Sequence, residues 1–299
     1  MNDTTNKTLF YTIMFFAMFA WGLAWVNAKV LGAYINEYEL IFFRNLFTII
    51  SLLPVLIVSK KYFNITLKSF LLCLIASVLM IAYMKCYFLG VKLGTASLGG
   101  AFVTTLIPIN TFIIMALFFK KRSTKKDIFA LIVGAIGVLT MINVWAFDPK
   151  EIFAPENLYF FMASILWALI TITSSKSTKT SPLVFTFYMY LISTILVMLF
   201  FIDLDKIPYQ TFDSIFWINI LFLSVVSTTF ATSVYFIGIE KLGAKEVSTF
   251  IFLVPFFAIS GSAFFLGEKI DLSIVIGTVL TIIAVSVLNN IVKFKYKRL

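Results

Sequence analysis

Apolar residues run in blocks of about twenty from Leu9 to Val292, and short polar segments separate the blocks. A helix rising 1.5 Å per residue needs about 20 mostly apolar residues to cross the hydrocarbon layer of a bilayer. Read with that window, the chain predicts ten spans: Leu9–Ala28, Leu40–Val58, Phe70–Leu89, Thr95–Phe119, Ile128–Phe147, Leu158–Ser174, Leu183–Ile202, Ile215–Ile239, Val247–Leu266 and Leu272–Val292. The expected fold class is an all-α integral membrane protein. The first block is too long for a signal peptide and lacks a small-x-small cleavage site before Lys29, so it is read as the first span.

The pattern repeats. Tyr87-Phe88-Leu89-Gly90, followed by Lys92-Leu93-Gly94, is echoed by Tyr235-Phe236-Ile237-Gly238 and Lys241-Leu242-Gly243. Pro108 answers to Pro255, Asp127 to Asp271, Gly134 to Gly277 and Trp21 to Trp167, each displaced by about half the chain. The chain divides into residues 1–150 and 151–299, two repeats of five spans that form one membrane domain. Five is odd, so the two halves enter the bilayer in opposite senses, the arrangement that lets one site open alternately to either side.

Composition agrees with a membrane as solvent. Hydrophobic residues make up 61% of the 299 and charged residues 13%, too little polar surface to cover a water-soluble domain. The formal charge of +10 sits in clusters between spans and not on a nucleic-acid-binding face. Cytoplasmic loops are enriched in Lys and Arg. With the N-terminus inside, 17 of the 24 basic residues fall in inside segments and five in outside loops, which predicts cytoplasmic termini and a cell inner membrane protein. Cys73 and Cys86 share one apolar block and read as packing residues. The chain has no histidine and its spans hold no clearly buried carboxylate, so neither a metal or cofactor site nor a set of enzymic groups can be assembled.

The ordered set of features resembles the drug/metabolite transporter superfamily, in particular its EamA-type ten-helix branch. The features are Trp21-Gly22 with Lys29, Arg44 in the second span, and the Leu-Gly junctions before spans four and nine. To these add Pro108 and Pro255, Leu266-Gly267-Glu268 closing the ninth span, and glycine-containing fifth and tenth spans. The resemblance implies that spans one to four and six to nine surround a central cavity, with five and ten peripheral. It also implies transport of small metabolites, amino acids, sugars, nucleotides and drugs among them, more often outward. Lys121 departs from the pattern, since it occupies the position that matches Glu268.

Candidate site residues follow from what is costly in a bilayer. Pro108 and Pro255 each remove a backbone donor, freeing the carbonyls of Thr104 and Ile251, and are candidate hinges, with Thr104 and Thr105 placed to assist the first. Trp21 and Trp25 lie one turn apart, as do Tyr83 and Tyr87; with Trp167 and Tyr235 they are candidate lining residues. Arg44 and Lys85 are the cations within spans. Either they face a substrate path, where both would meet one acidic group, or they snorkel to the outer headgroups. The expected function is a secondary transporter of an amino acid or other carboxylate-bearing metabolite, with export the expected direction. The alternatives are a non-transporting scaffold or sensor, or an exporter of cationic drugs. The expected partners are a small-molecule substrate and the lipid bilayer, with no nucleic acid; a homodimer is compatible with the sequence.

Overall fold

The structure is a computed structural model that describes residues 3–60, 63–118, 124–146, 149–177, 180–242 and 249–288. Ten principal helices are found among the described residues: α1 Asp3–Leu31, α2 Glu37–Val58, α3 Leu67–Leu93, α4 Ala96–Phe118, α5 Lys125–Met141, α6 Pro155–Ser175, α7 Pro182–Phe200, α8 over residues 214–242, α9 Leu253–Leu266 and α10 Leu272–Leu288. Within α8, Ser214–Leu221 and Ala231–Leu242 are α-helical, while Phe222–Phe230 between them is a π-helix.

The polar breaks in the sequence are caps. Asn36 accepts from the backbone N–H groups of Tyr38 and Glu39, and the Glu39 carboxylate accepts from Asn36 N–H, a complete capping box for α2. Asp127 does the same for α5 with Thr124, and Asp271 accepts from Ser273 N–H at the start of α10. The repeated aspartates therefore start equivalent helices.

Seven helices, α1 to α4 and α6 to α8, are long and apolar enough to cross a membrane. The remaining three are shorter than the twenty-residue spans expected from hydropathy. α5 stops at Met141 because Asn143 adopts a left-handed φ of 52°, after which Val144–Ala146 form a single 3-10 turn. α9 starts late. Pro255 cannot donate to the Ile251 carbonyl, and Thr249–Phe252 wind as a 3-10 turn before the α-helix begins at Leu253. Pro255 thus sits in the first turn of α9, whereas Pro108 lies inside a continuous α4. Expected span residues 119, 147, 247–248 and 289–292 lie outside the described residues.

Packing places α3 against α6 and α7, and α1 against α8 and α9; α4 meets α6 and α9, and α2 meets α7 and α8. Replacing each helix by the one five places along maps α3–α6 onto α1–α8, α4–α6 onto α1–α9 and α3–α7 onto α2–α8. The pairs α2–α7, α4–α9 and α5–α10 map onto themselves. Small residues allow the closest crossings. A Cβ on Gly137 would stand 2.8 Å from the Gly277 carbonyl, and one on Gly100 would collide with the Ala258 side chain. Large apolar side chains such as Phe264, Phe265, Phe200 and Val58 point outward, as lipid requires.

Candidate functional site

The α2 cap sets the register that carries Arg44 two turns into the helix, where it is 9% exposed. Its Nε and Nη2 reach one acceptor, the Thr228 hydroxyl on α8, at 3.4 and 3.3 Å. Its Nη1 is buried, and among the described residues it has no hydrogen-bond partner. The guanidinium carbon stands 5.8 Å from the Tyr87 ring centre and 5.9 Å from that of Phe88, and its charge also reaches Tyr83 and Tyr190. Among the described residues no carboxylate lies within ion-pair distance of it. A guanidinium carries five donors, and a buried one is costly unless paired. Two long bonds to a neutral hydroxyl leave most of that capacity unused, so the group is suited to receive an anion.

A run of rings flanks it. Trp25 meets Tyr87 edge to face at 4.4 Å, Tyr87 stacks on Tyr83 at 6.0 Å, and Tyr83 meets Trp167 at 4.7 Å. Trp25 and Tyr87 are also structural: the Tyr87 hydroxyl donates to the Ala24 carbonyl at 2.9 Å, and the Trp25 ring lies on Gly99 and Gly100 of α4. Trp21 and Tyr235 form a second pair at 5.2 Å, in which Trp21 Nε1 donates to the Ser227 carbonyl at 2.9 Å. Lys85 is elsewhere. Its ammonium lies 5.0 Å from the Tyr38 ring, in the first turn of α2, so the two intramembrane cations share no partner. Glu39 is engaged in the capping box. The Thr104 and Thr105 hydroxyls donate back to the carbonyls of Gly100 and Ala101 and so do not serve the carbonyl freed by Pro108.

Sequence reasoning missed Thr228 and Tyr190. A hydroxyl in an apolar run carries no signal of its own, although Tyr190 on α7 stands where the repeat would place the mate of Arg44. It also missed the roles of Lys29 and Glu268. The Lys29 ammonium donates to the carbonyls of Val91, Lys92 and Gly94 at the end of α3. Glu268 accepts from Ala96 N–H, Ser97 N–H and the Ser97 hydroxyl at the start of α4. Together they clamp the α3–α4 junction.

The sequence pattern of the EamA-like transporter family fits residues 8–143 and again residues 154–290, so two copies of it together span nearly the whole chain. The chain belongs to the EamA-like transporter family. It is a multi-pass membrane transporter of the drug/metabolite type, built from two EamA domains. An uncharacterized transporter of Bacillus subtilis, YyaM, is 28% identical over 69% of this chain and 68% of its own. S-adenosylmethionine uptake transporters of Rickettsia bellii and Rickettsia conorii are 29% and 30% identical over 57% of this transporter; the match spans 57% and 56% of their own lengths. A solved crystal structure, 14% identical, superposes with a TM-score of 0.61 over 95% of this chain and 97% of its own, which shows a shared fold.

Proposed function

We propose that this transporter moves a small metabolite bearing a carboxylate, most simply an amino acid or a compound containing one. Arg44 anchors the acidic group, and the Tyr83, Tyr87, Trp25 and Trp167 rings hold the remainder. The single observation that carries this reading is the burial of the Arg44 guanidinium with, among the described residues, Nη1 unpartnered and no acid within ion-pair distance. A carboxylate would bind its fork bidentately and neutralise it. S-adenosylmethionine, named for several relatives, itself carries an amino-acid carboxylate, which supports the same substrate class. Trp21, Tyr235, Thr104 and Lys85 are secondary candidates along the path, and Pro108 and Pro255 are the candidate hinges. Ten spans in two inverted halves, 1–150 and 151–299, with both termini cytoplasmic in a cell inner membrane, supply alternating access. Export is the direction that the family resemblance implies. The relatives named for S-adenosylmethionine are uptake transporters, and assay sidedness decides.

The test is a thermal-shift and transport screen with purified protein. L-amino acids and S-adenosylmethionine are compared with analogues lacking the carboxylate, such as phenethylamine against L-phenylalanine. A ligand at 100 times its dissociation constant stabilises by about 2.7 kcal/mol, enough to read as a raised melting temperature. Carboxylates should shift the wild-type protein and not Arg44→Gln. Equal shifts by decarboxylated analogues, or a permanent cation without a carboxylate as the best ligand, would sink the reading.

A further inference from the structure

The two halves differ at one place that bears on the site. Tyr87 follows the α3 cap, Thr66, by 21 residues, whereas Tyr235 follows the α8 cap, Asp213, by 22. α3 is α-helical throughout, and α8 absorbs the additional residue by winding Phe222–Phe230 as a π-helix. Such segments are rare and concentrate at functional positions. This one is held from the opposite half: Trp21 Nε1 donates to Ser227 O, and Ser51 Oγ lies 2.7 Å from Thr229 Oγ1. At its centre the Thr228 hydroxyl donates to the Leu223 carbonyl, five residues back, at 2.8 Å, while accepting from Arg44. One hydroxyl therefore links the buried guanidinium to the π register.

We propose that Phe222–Phe230 is a substrate-responsive segment. Thr228 holds Arg44 until an anionic group takes the guanidinium, and its release lets the segment rewind and shift α8 against α1 and α2. The inference rests on the reading of Arg44 as the anion anchor. The bonds at 3.3 and 3.4 Å are long against the ~2.9 Å mode for N–H···O. A carboxylate accepts from a guanidinium at about 2.7–2.9 Å through two parallel bonds and adds the attraction of opposite charges, which two long bonds to a neutral hydroxyl lack, so exchange of Thr228 for an anion is favoured. The exchange also removes the bond that ties residue 228 to α2. Coupling then follows from one atom having two roles.

Benzoate, a carboxylate on an apolar ring, is the probe, with benzamide as the neutral control. Three measurements are made: benzoate affinity by calorimetry, melting temperature, and deuterium uptake of peptides covering Phe222–Phe230. Wild-type protein should bind benzoate and not benzamide, and benzoate should change uptake in those peptides while leaving the equivalent stretch of α3 unchanged. Thr228→Val, which deletes the competing acceptor, should bind benzoate about three- to tenfold more tightly, the size expected for losing one competing acceptor held by two long bonds. Its uptake should no longer respond to benzoate. Thr228→Ser should restore both the weaker affinity and the response.

If wild type binds no benzoate, the anchor reading itself fails and this inference falls with it. If wild type binds benzoate but uptake in Phe222–Phe230 does not respond, the anchor stands and the segment is static. If Thr228→Val binds benzoate no more tightly than wild type at a similar melting temperature, Thr228 does not compete for Arg44, which also overturns the proposal.

Discussion

A buried cation without an acid is a liability for stability, and that cost separates function from packing at residue 44. An ionised side chain within hydrocarbon costs at least about 2.5 kcal/mol. Arg44→Met should therefore raise or preserve the melting temperature in detergent while abolishing carboxylate binding; a large drop would mean that the guanidinium serves the fold. Arg44→Lys keeps the charge and loses the planar fork, so it should retain weakened binding where Arg44→Gln retains none. Lys85→Gln should change carboxylate affinity less than twofold by calorimetry, since its ammonium faces Tyr38. A comparable loss in Lys85→Gln and Arg44→Gln would restore a shared site. The two cations were legible in the sequence as the charges within spans, and the ring residues were legible as repeated aromatics. Which cation the rings surround was not, because helical spacing gives depth along a helix and not the facing of one helix toward another.

At the scale of elements, caps, glycine crossings and the π segment define how the helices meet. Asp213 caps α8 through Phe216 N–H and accepts the Tyr34 hydroxyl at 2.9 Å, tying the α1–α2 turn to α8. The Phe216 N–H bond chiefly holds the Asp213 carboxyl below its ordinary range, while the Asp213 bond raises the Tyr34 hydroxyl. A lowered acid stabilises the fold above its unfolded pKa and loses that contribution as pH falls through its folded value. A raised phenol stabilises below its unfolded pKa and loses that contribution as pH rises through its folded value. The melting temperature should thus fall below about pH 4 and again above about pH 10, and Asp213→Ala should flatten both limbs. Unchanged limbs in Asp213→Ala would show that other groups govern them. Gly137→Leu should cost about 1–3 kcal/mol or more by separating α5 from α10, read as a lowered melting temperature. Hydropathy located every one of these helices, yet overestimated α5 and α9. An apolar run does not reveal that Asn143 takes a left-handed turn or that a proline near a helix start converts the preceding turn to 3-10.

For the whole molecule, orientation is the first prediction. Single cysteines at positions 61, 122, 179 and 297 should react only from the cytoplasmic side, and those at 37, 151 and 205 only from outside; outside labelling at 122 would reverse the assignment. Coupling is the second. Arg44 is the one ionisable side chain buried among the described residues apart from phenols and thiols. An imposed pH gradient at zero voltage should therefore barely change initial rates for a substrate of fixed charge, and strong gradient-driven accumulation would contradict this. Class, duplication and family were settled by the sequence itself, because bilayer thickness sets the length of an apolar run and a repeated run of spans leaves repeated residues at matching positions. The tertiary structure decided the rest. It chose Thr228 as the partner of Arg44, sent Lys85 to Tyr38, paired Glu268 with the start of α4, and turned one additional residue in α8 into a π-helix. These depend on how helices far apart in the chain rotate and pack against one another, which no local pattern encodes.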